Sequence, residues 1–253
     1  MSRNERFDPG AVARITIGLA WATLELTSDS VERMQLLVAG TPEDVDDLKI
    51  RLEAGTLSVE QPAYGLSTRI NTERWLQVTL RIPSDWKGEI TASTMSGPLR
   101  ATGLSGSDFS VSTISGGLRA SGLQAMTLSL RTVSGPLNAA DLEADSLSLR
   151  TVSGSLSVER AAAQKVKVTS VSADIGLSLI ECPERVDINS VSGDTALELP
   201  ADGAKITLHS VSGKLRTAGV SLTDGDPVIN ATTVAGNLTV ACRRLRENSD
   251  SND

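Results

Sequence analysis

The sequence is short of aromatic residues, histidine and cysteine, and each shortage removes a class of function. Aromatics are 2 % of 253 residues: three Trp, two Phe and one Tyr. An outer-membrane barrel needs aromatic girdles, and base-stacking nucleic-acid sites need exposed rings. The formal charge of −7 also opposes a phosphate backbone, so no nucleic-acid partner is expected. One histidine leaves most metal and histidine-based catalytic sites without their usual residue. Cys182 and Cys242 form neither a disulfide framework nor a close metal-binding pair, and read as two small buried side chains.

Long apolar runs are missing too. The least polar stretch, residues 15–24, is about half of the ~20 residues a membrane span needs. Arg3, Arg6 and Arg14 precede it, but Glu5 and Asp8 dilute that charge and no small-x-small cleavage pattern follows. The expectation is a cytoplasmic chain without a membrane span, with cell-envelope association as the alternative. Apolar residues at 40 % and charged residues at 22 % suit a chain that buries a core.

What is present is a repeat. The phrase Val-Ser-Gly recurs with its third position at Gly97, Gly116, Gly135, Gly154, Ala173, Gly193, Gly213 and Gly236. The steps are 19, 19, 19, 19, 20, 20 and 23 residues. With the glycine as zero, positions −7 and −5 are apolar, as in Leu128/Leu130, Leu147/Leu149 and Val166/Val168. The positions between and after them are polar, as in Ser129/Arg131 and Ser148/Arg150. Positions +2 and +4 repeat the alternation, as in Leu137/Ala139 and Leu156/Val158. Position +7 adds a third apolar mark at Leu104, Leu123, Leu142, Ile180 and Val220. Period-2 segments punctuated by Ser-Gly exclude helix, and one motif per ~19 residues lacks the hairpin signal of an up-and-down sheet. The fold class is all-β: a single-stranded parallel β-solenoid (β-helix) with 19–20-residue coils, each buried against its neighbours.

Position −3 is Thr or Ser in every copy, and −1 is Ser in all but Ala235. Apolar −5 and apolar −2 have opposite parity, so the chain bends between them, where short hydroxyls suit the bend. Were −3 to face outward with −1, the two columns would make a flat hydroxyl array of the ice-binding kind. Turned inward, the array vanishes. Glycine at zero supplies unusual backbone angles or close approach to the next coil, and Ala173 in that slot argues that a positive φ is not required there.

One solenoid domain is expected over residues 11–242, with 11–88 as irregular first coils and cap and 89–242 as regular coils. Residues 1–10 read as an N-terminal extension and 243–253 as a disordered polar tail. Strand-like runs fall at 14–18, 22–27, 34–38, 49–52 and 75–82, and residues 42–47 read as an acidic loop. The open end is expected at the last coil, 228–242, defended by Arg243, Arg244 and Arg246.

The segments NSVSGDT (189–195) and RIPSDWKGEITASTMSG (81–97) resemble the bacterial putative-adhesin domain of unknown function, a β-strand repeat protein. The resemblance spans residues 15–242. It implies a β-solenoid in a bacterial protein, linked in some members to the cell envelope, and carries no catalytic signature.

No catalytic, cofactor or metal residue is assigned. His209 shares an outward column with Asn189 and Thr232 and reads as solvated. Asp174 and Asp194 are adjacent in the +1 column, the nearest approach to an acidic pair for calcium or glycoside chemistry, and read as turn residues. Arg131 and Arg150 stack with Lys167 beside them, either to hold an anion or as a solvated face with Lys167 paired to Asp187. The expected function is a non-enzymatic structural or interaction module. The alternative is a carbohydrate-binding or carbohydrate-processing β-helix. The expected form is a monomer with a protein or glycan partner.

Overall fold

The computed structural model describes residues 1–62 and 74–242. The N-terminal part holds β1 (Ser2–Phe7), β2 (Arg14–Leu19), β3 (Thr23–Asp29), β4 (Met34–Gly40), α1 (Pro42–Asp47), β5 (Lys49–Glu53), β6 (Thr56–Glu60) and β7 (Leu76–Pro83). The regular repeats form β8 (Glu89–Thr94), β9 (Leu99–Thr102), β10 (Ser105–Thr113), β11 (Leu118–Thr132), β12 (Leu137–Arg150) and β13 (Leu156–Thr169). The remainder is β14 (Ile175–Leu179), β15 (Arg185–Ser192), β16 (Thr195–Leu199), β17 (Gly203–Ser210), β18 (Leu215–Ala218), β19 (Ser221–Leu222), β20 (Val228–Ala235) and β21 (Leu238–Cys242).

Each regular coil has three sides. The first ends at the Val-Ser-Gly corner, the second begins after it, and the third returns to the next coil. Equivalent residues pair in parallel and in register: Leu118 with Leu137, Leu137 with Leu156, Leu128 with Leu147, Leu147 with Val166. Their side chains are buried, so every coil closes its core against the next. On the third side, Leu179 rather than Ile180 continues the column of Leu104, Leu123 and Leu142. β14 pairs Leu179 with Ala161 across a register shift, leaving Ile180 exposed.

The Val-Ser-Gly corner is shaped by backbone proximity. A Cβ on Gly135 would stand 2.0 Å from the carbonyl oxygen of Gly116, one coil below. Thr132 Oγ1 spans the bend and donates to Gly135 O at 2.9 Å, and Thr94 and Thr151 do the same in their coils. Ala173 goes with a different bend, in which its own N–H donates to Ser170 Oγ. The serines at −1 hold the coils together. Ser115 Oγ donates to Met95 O and Ser134 Oγ to Ile114 O, both at 3.2 Å.

A second corner lies six residues after the glycine. Gly103, Gly122, Asp141 and Arg160 have φ of +67°, +62°, +54° and +54° there. The left-handed conformation is natural for glycine and tolerated by Asp. Arg160 also donates to the Asp141 carboxylate one coil below, Nε to Oδ1 at 2.6 Å.

The order of coils in the stack departs from chain order at both ends. On the first side it runs β5, β6, β2, β8, β10, β11, β12, β13, β15, β20, β17. On the second it runs β1, β4, β7, β3, β9, β11, β12, β13, β14, β16, β21, β18. The β2/β3 coil therefore lies between β6/β7 and β8/β9. The β20/β21 coil lies between β15/β16 and β17/β18.

Several expectations are corrected by this threading. The column Leu128, Leu147, Val166, Val186 does not continue to Ile206, because Ile229 is inserted between them. Among the described residues, the last coil of the stack is 203–222, not 228–242. Residues 1–10 are not an extension outside the solenoid: β1 pairs antiparallel with β4 in the cap. Residues 42–47 form α1, with Pro42 at its start and Glu43 and Asp44 in its first turn, where acids suit the positive helix end. Asp44 is buried and pairs with Arg74, whose guanidinium lies 5.0 Å from the Trp21 ring centroid. Trp86 Nε1 donates to Val12 O at 2.6 Å. The tail expected at 243–253 lies outside the described residues.

Candidate interaction surface

The residues singled out in the sequence are spread over the coil surface, and three of them, Asp174, Asp187 and Asp194, bond to a neighbouring coil. Asp174 Oδ1 accepts from the N–H of Asp194 at 3.0 Å. Asp194 Oδ1 in turn accepts from Asn237 N at 2.8 Å and from its Nδ2 at 3.1 Å. Asn237 Oδ1 accepts from Lys214 N at 3.3 Å. This ladder follows the threaded order and ties the corner of each coil to the next. His209 is exposed on β17, in the last coil of the stack among the described residues.

Asp187 is not paired with Lys167. Its partners are Arg185 Nε at 2.6 Å and, across to the inserted coil, Asn230 Nδ2 at 3.1 Å. The Arg185 bond, with help from Asn230, holds the Asp187 carboxyl below the usual carboxylate range. Cys182 is exposed and Cys242 half-buried, so the expectation of two buried side chains is corrected, and both are free thiols. Partial desolvation and the Asp226 carboxylate push the Cys182 thiol up. Among the described residues, no three His, Cys, Asp or Glu side chains cluster to hold a metal ion. Among the same residues, no helix is long and apolar enough to cross a membrane.

The corner hydroxyls at −3 face inward. Thr94, Thr113, Thr132, Thr151, Ser170 and Ser190 are buried. The two-column outward hydroxyl array is therefore absent, and the apolar residue at −2 points outward beside the exposed serine at −1. In stack order, Met95, Ile114, Val133, Val152, Val171, Val191, Val234 and Val211 form a ridge, each 39–83 % exposed. Between the ridge and the first side lies a trough of about 500 Å³, walled by Met95, Ile114, Val133 and Val152 on one flank and by Arg131 and Arg150 on the other. On the second side a more polar trough of about 510 Å³ is lined by Arg100, Arg119, Asn138, Ser157 and Glu159, with no aromatic ring. The ridge was not singled out from sequence. Its signal was the opposite parity of −5 and −2, which forces one of the two apolar columns outward.

The sequence pattern of the Toastrack DUF4097 family matches residues 12–240. The chain belongs to that family. No curated protein matches the toastrack chain. Among solved structures, a putative lipid binding protein from Parabacteroides distasonis is similar, at TM-score 0.61 and 17 % identity, covering 96 % of this chain and 97 % of that one. A putative adhesin from the same species aligns at TM-score 0.56 and 12 % identity over 93 % and 97 % of the two chains. A putative adhesin from Parabacteroides merdae aligns at 0.53 and 10 % over 96 % of each. At these identities the likeness is one of fold, and it agrees with the mostly parallel, solenoid-like toastrack described above.

Proposed function

We propose that this toastrack is a non-enzymatic interaction module, a rigid rod that binds through the ridge at its Val-Ser-Gly corner. The observation that carries the reading is the continuity of that ridge: eight apolar side chains, one per coil, none packed into the core. A polar residue at −2 would leave the core packing intact, so core formation alone does not account for the column. Contiguous exposed apolar surface on a folded protein marks a contact site. The acidic residues that a glycosidase would use are committed to the corner ladder, and the polar trough lacks a ring for sugar stacking. The Parabacteroides proteins of similar fold bear the names putative adhesin and putative lipid binding protein, and a binding role is in keeping with an outward ridge.

The test compares the wild type with Ile114→Ser/Val133→Ser/Val152→Ser and with Asn138→Ala/Ser157→Ala in the polar trough. Retention on intact bacterial cells is measured beside thermal unfolding. The ridge variant is expected to melt like the wild type and lose most of its retention, the trough variant to keep it. Unchanged retention in the ridge variant, or loss confined to the trough variant, overturns the reading.

A further inference from the structure

We infer that the N-terminal half of the ridge docks on an anionic phospholipid bilayer surface. This rests on the ridge being the binding surface. It adds the chemistry of the partner.

Four exposed arginines flank the ridge in successive coils: Arg100 and Arg119 on the second side, Arg131 and Arg150 on the first. None forms an ion pair with a described residue, and their one hydrogen bond is Arg131 Nε to Ser129 Oγ at 3.2 Å. Within each pair the backbones are one coil apart, ~4.8 Å. Like charges so placed repel, and an anion bridging them relieves that repulsion. Further along the same ridge the flanking charges are mixed, with Asp174 and Asp194 beside Val171 and Val191 and Lys214 beside Val211, while at the near end Glu25 lies in register beside Arg100. The basic character is thus local, in a chain whose formal charge is −7.

Shape and chemistry then select the partner. The apolar residues stand at the edge of an open trough, each 39–52 % exposed, so they border the trough without enclosing a ligand. An exposed ridge is best buried in a surface that yields, and the headgroup layer of a bilayer yields. Arginines set back on both slopes reach lipid phosphates along their aliphatic stems while Met95, Ile114, Val133 and Val152 enter the acyl boundary. Neither set suffices alone: shallow apolar contact and a few charges each bind membranes weakly, and stable docking needs both. Each arginine near an anionic surface strengthens binding about fivefold.

The test is co-flotation of the full chain with vesicles of phosphatidylcholine alone or with about 30 % phosphatidylglycerol. Light scattering without lipid and retention on cells are measured in parallel. Binding is expected to the anionic vesicles only, and to weaken with salt. Arg131→Gln/Arg150→Gln is expected to lower it about 25-fold, and Arg100→Gln/Arg119→Gln similarly. The triple ridge variant Ile114→Ser/Val133→Ser/Val152→Ser should abolish it, and Arg216→Gln, in the end coil, should not change it. Absence of binding, equal binding to both vesicles, or indifference to the arginine variants overturns the inference. So does ridge-dependent self-association in place of vesicle binding, which would assign the ridge to a second copy. Ridge-dependent retention on cells without vesicle binding overturns only the lipid docking, whereas retention indifferent to the ridge overturns both readings.

Discussion

Replacing Ile229 and Ile206 separately by Ala distinguishes the threaded stack from one in chain order. In chain order Ile229 would sit in the end coil and Ile206 inside. In the structure Ile229 is 0 % exposed, between Val186 and Ile206, while Ile206 is only partly buried on the last strand of the first side. Ile→Ala removes three carbons, worth about 2.4 kcal/mol in transfer at ~0.8 per methylene. A buried site adds a cavity term, which brings Ile229→Ala to about 3–4 kcal/mol. At Ile206 one side is open, the surroundings can relax, and the cost falls to about 1–2 kcal/mol. Urea unfolding of both variants reads the difference directly, provided the slope with denaturant is unchanged. A larger loss for Ile206→Ala than for Ile229→Ala would refute the threaded order.

Gly135→Ala should cost ~3 kcal/mol or more, because its Cβ would meet Gly116 O at 2.0 Å. Gly122→Ala should cost only about 1 kcal/mol, from its φ of +62° with no neighbour closer than 3.6 Å. The reverse order of the two melting temperatures would contradict the two-corner account. Asp187 has a lowered folded pKa, so its contribution is present above the unfolded value, about 3.9, and is lost as pH falls through the folded value. Asp187→Asn should therefore flatten the acid limb of melting temperature against pH below about pH 4. An identical acid limb would remove Asp187 from the account. Cys182 follows β14 and Cys242 ends β21, two coils apart through β16 rather than the three that chain order implies. That is about 10 Å along the axis, beyond the ~7 Å a disulfide spans. Thiol titration of unreduced, unfolded protein should find two free thiols, and a bridged species would contradict the stack.

The ridge and its arginines lie on the regular coils, where the repeat is most nearly uniform. A surface built this way extends by one residue per coil. Binding strength should therefore scale with the number of coils engaged rather than with any single residue.

The repeat by itself determined the phase of the regular coils as far as β13, but not the third side after Ala173, where Leu179 rather than Ile180 turns inward. Alternation placed Leu128, Leu147 and Val166 inward, and the corner hydroxyls marked the bend, because a one-residue slip would turn each side inside out. The strand runs between residues 14 and 82 were legible for the same reason. The second corner was less so: Gly103 and Gly122 were visible, but Asp141 and Arg160 adopt the same left-handed angles under other names. Only the tertiary structure decided the order of coils. Nearly identical coils present nearly identical faces, so Ile229 satisfies Val186 as well as Ile206 would. Nearest-neighbour pairing energies therefore barely distinguish chain order from the threaded one. The three-dimensional path of the chain settled the insertions, and with them which of the described coils is last in the stack. It also settled that Thr132 turns inward and Val133 outward, and so turned a repeated corner into an apolar ridge.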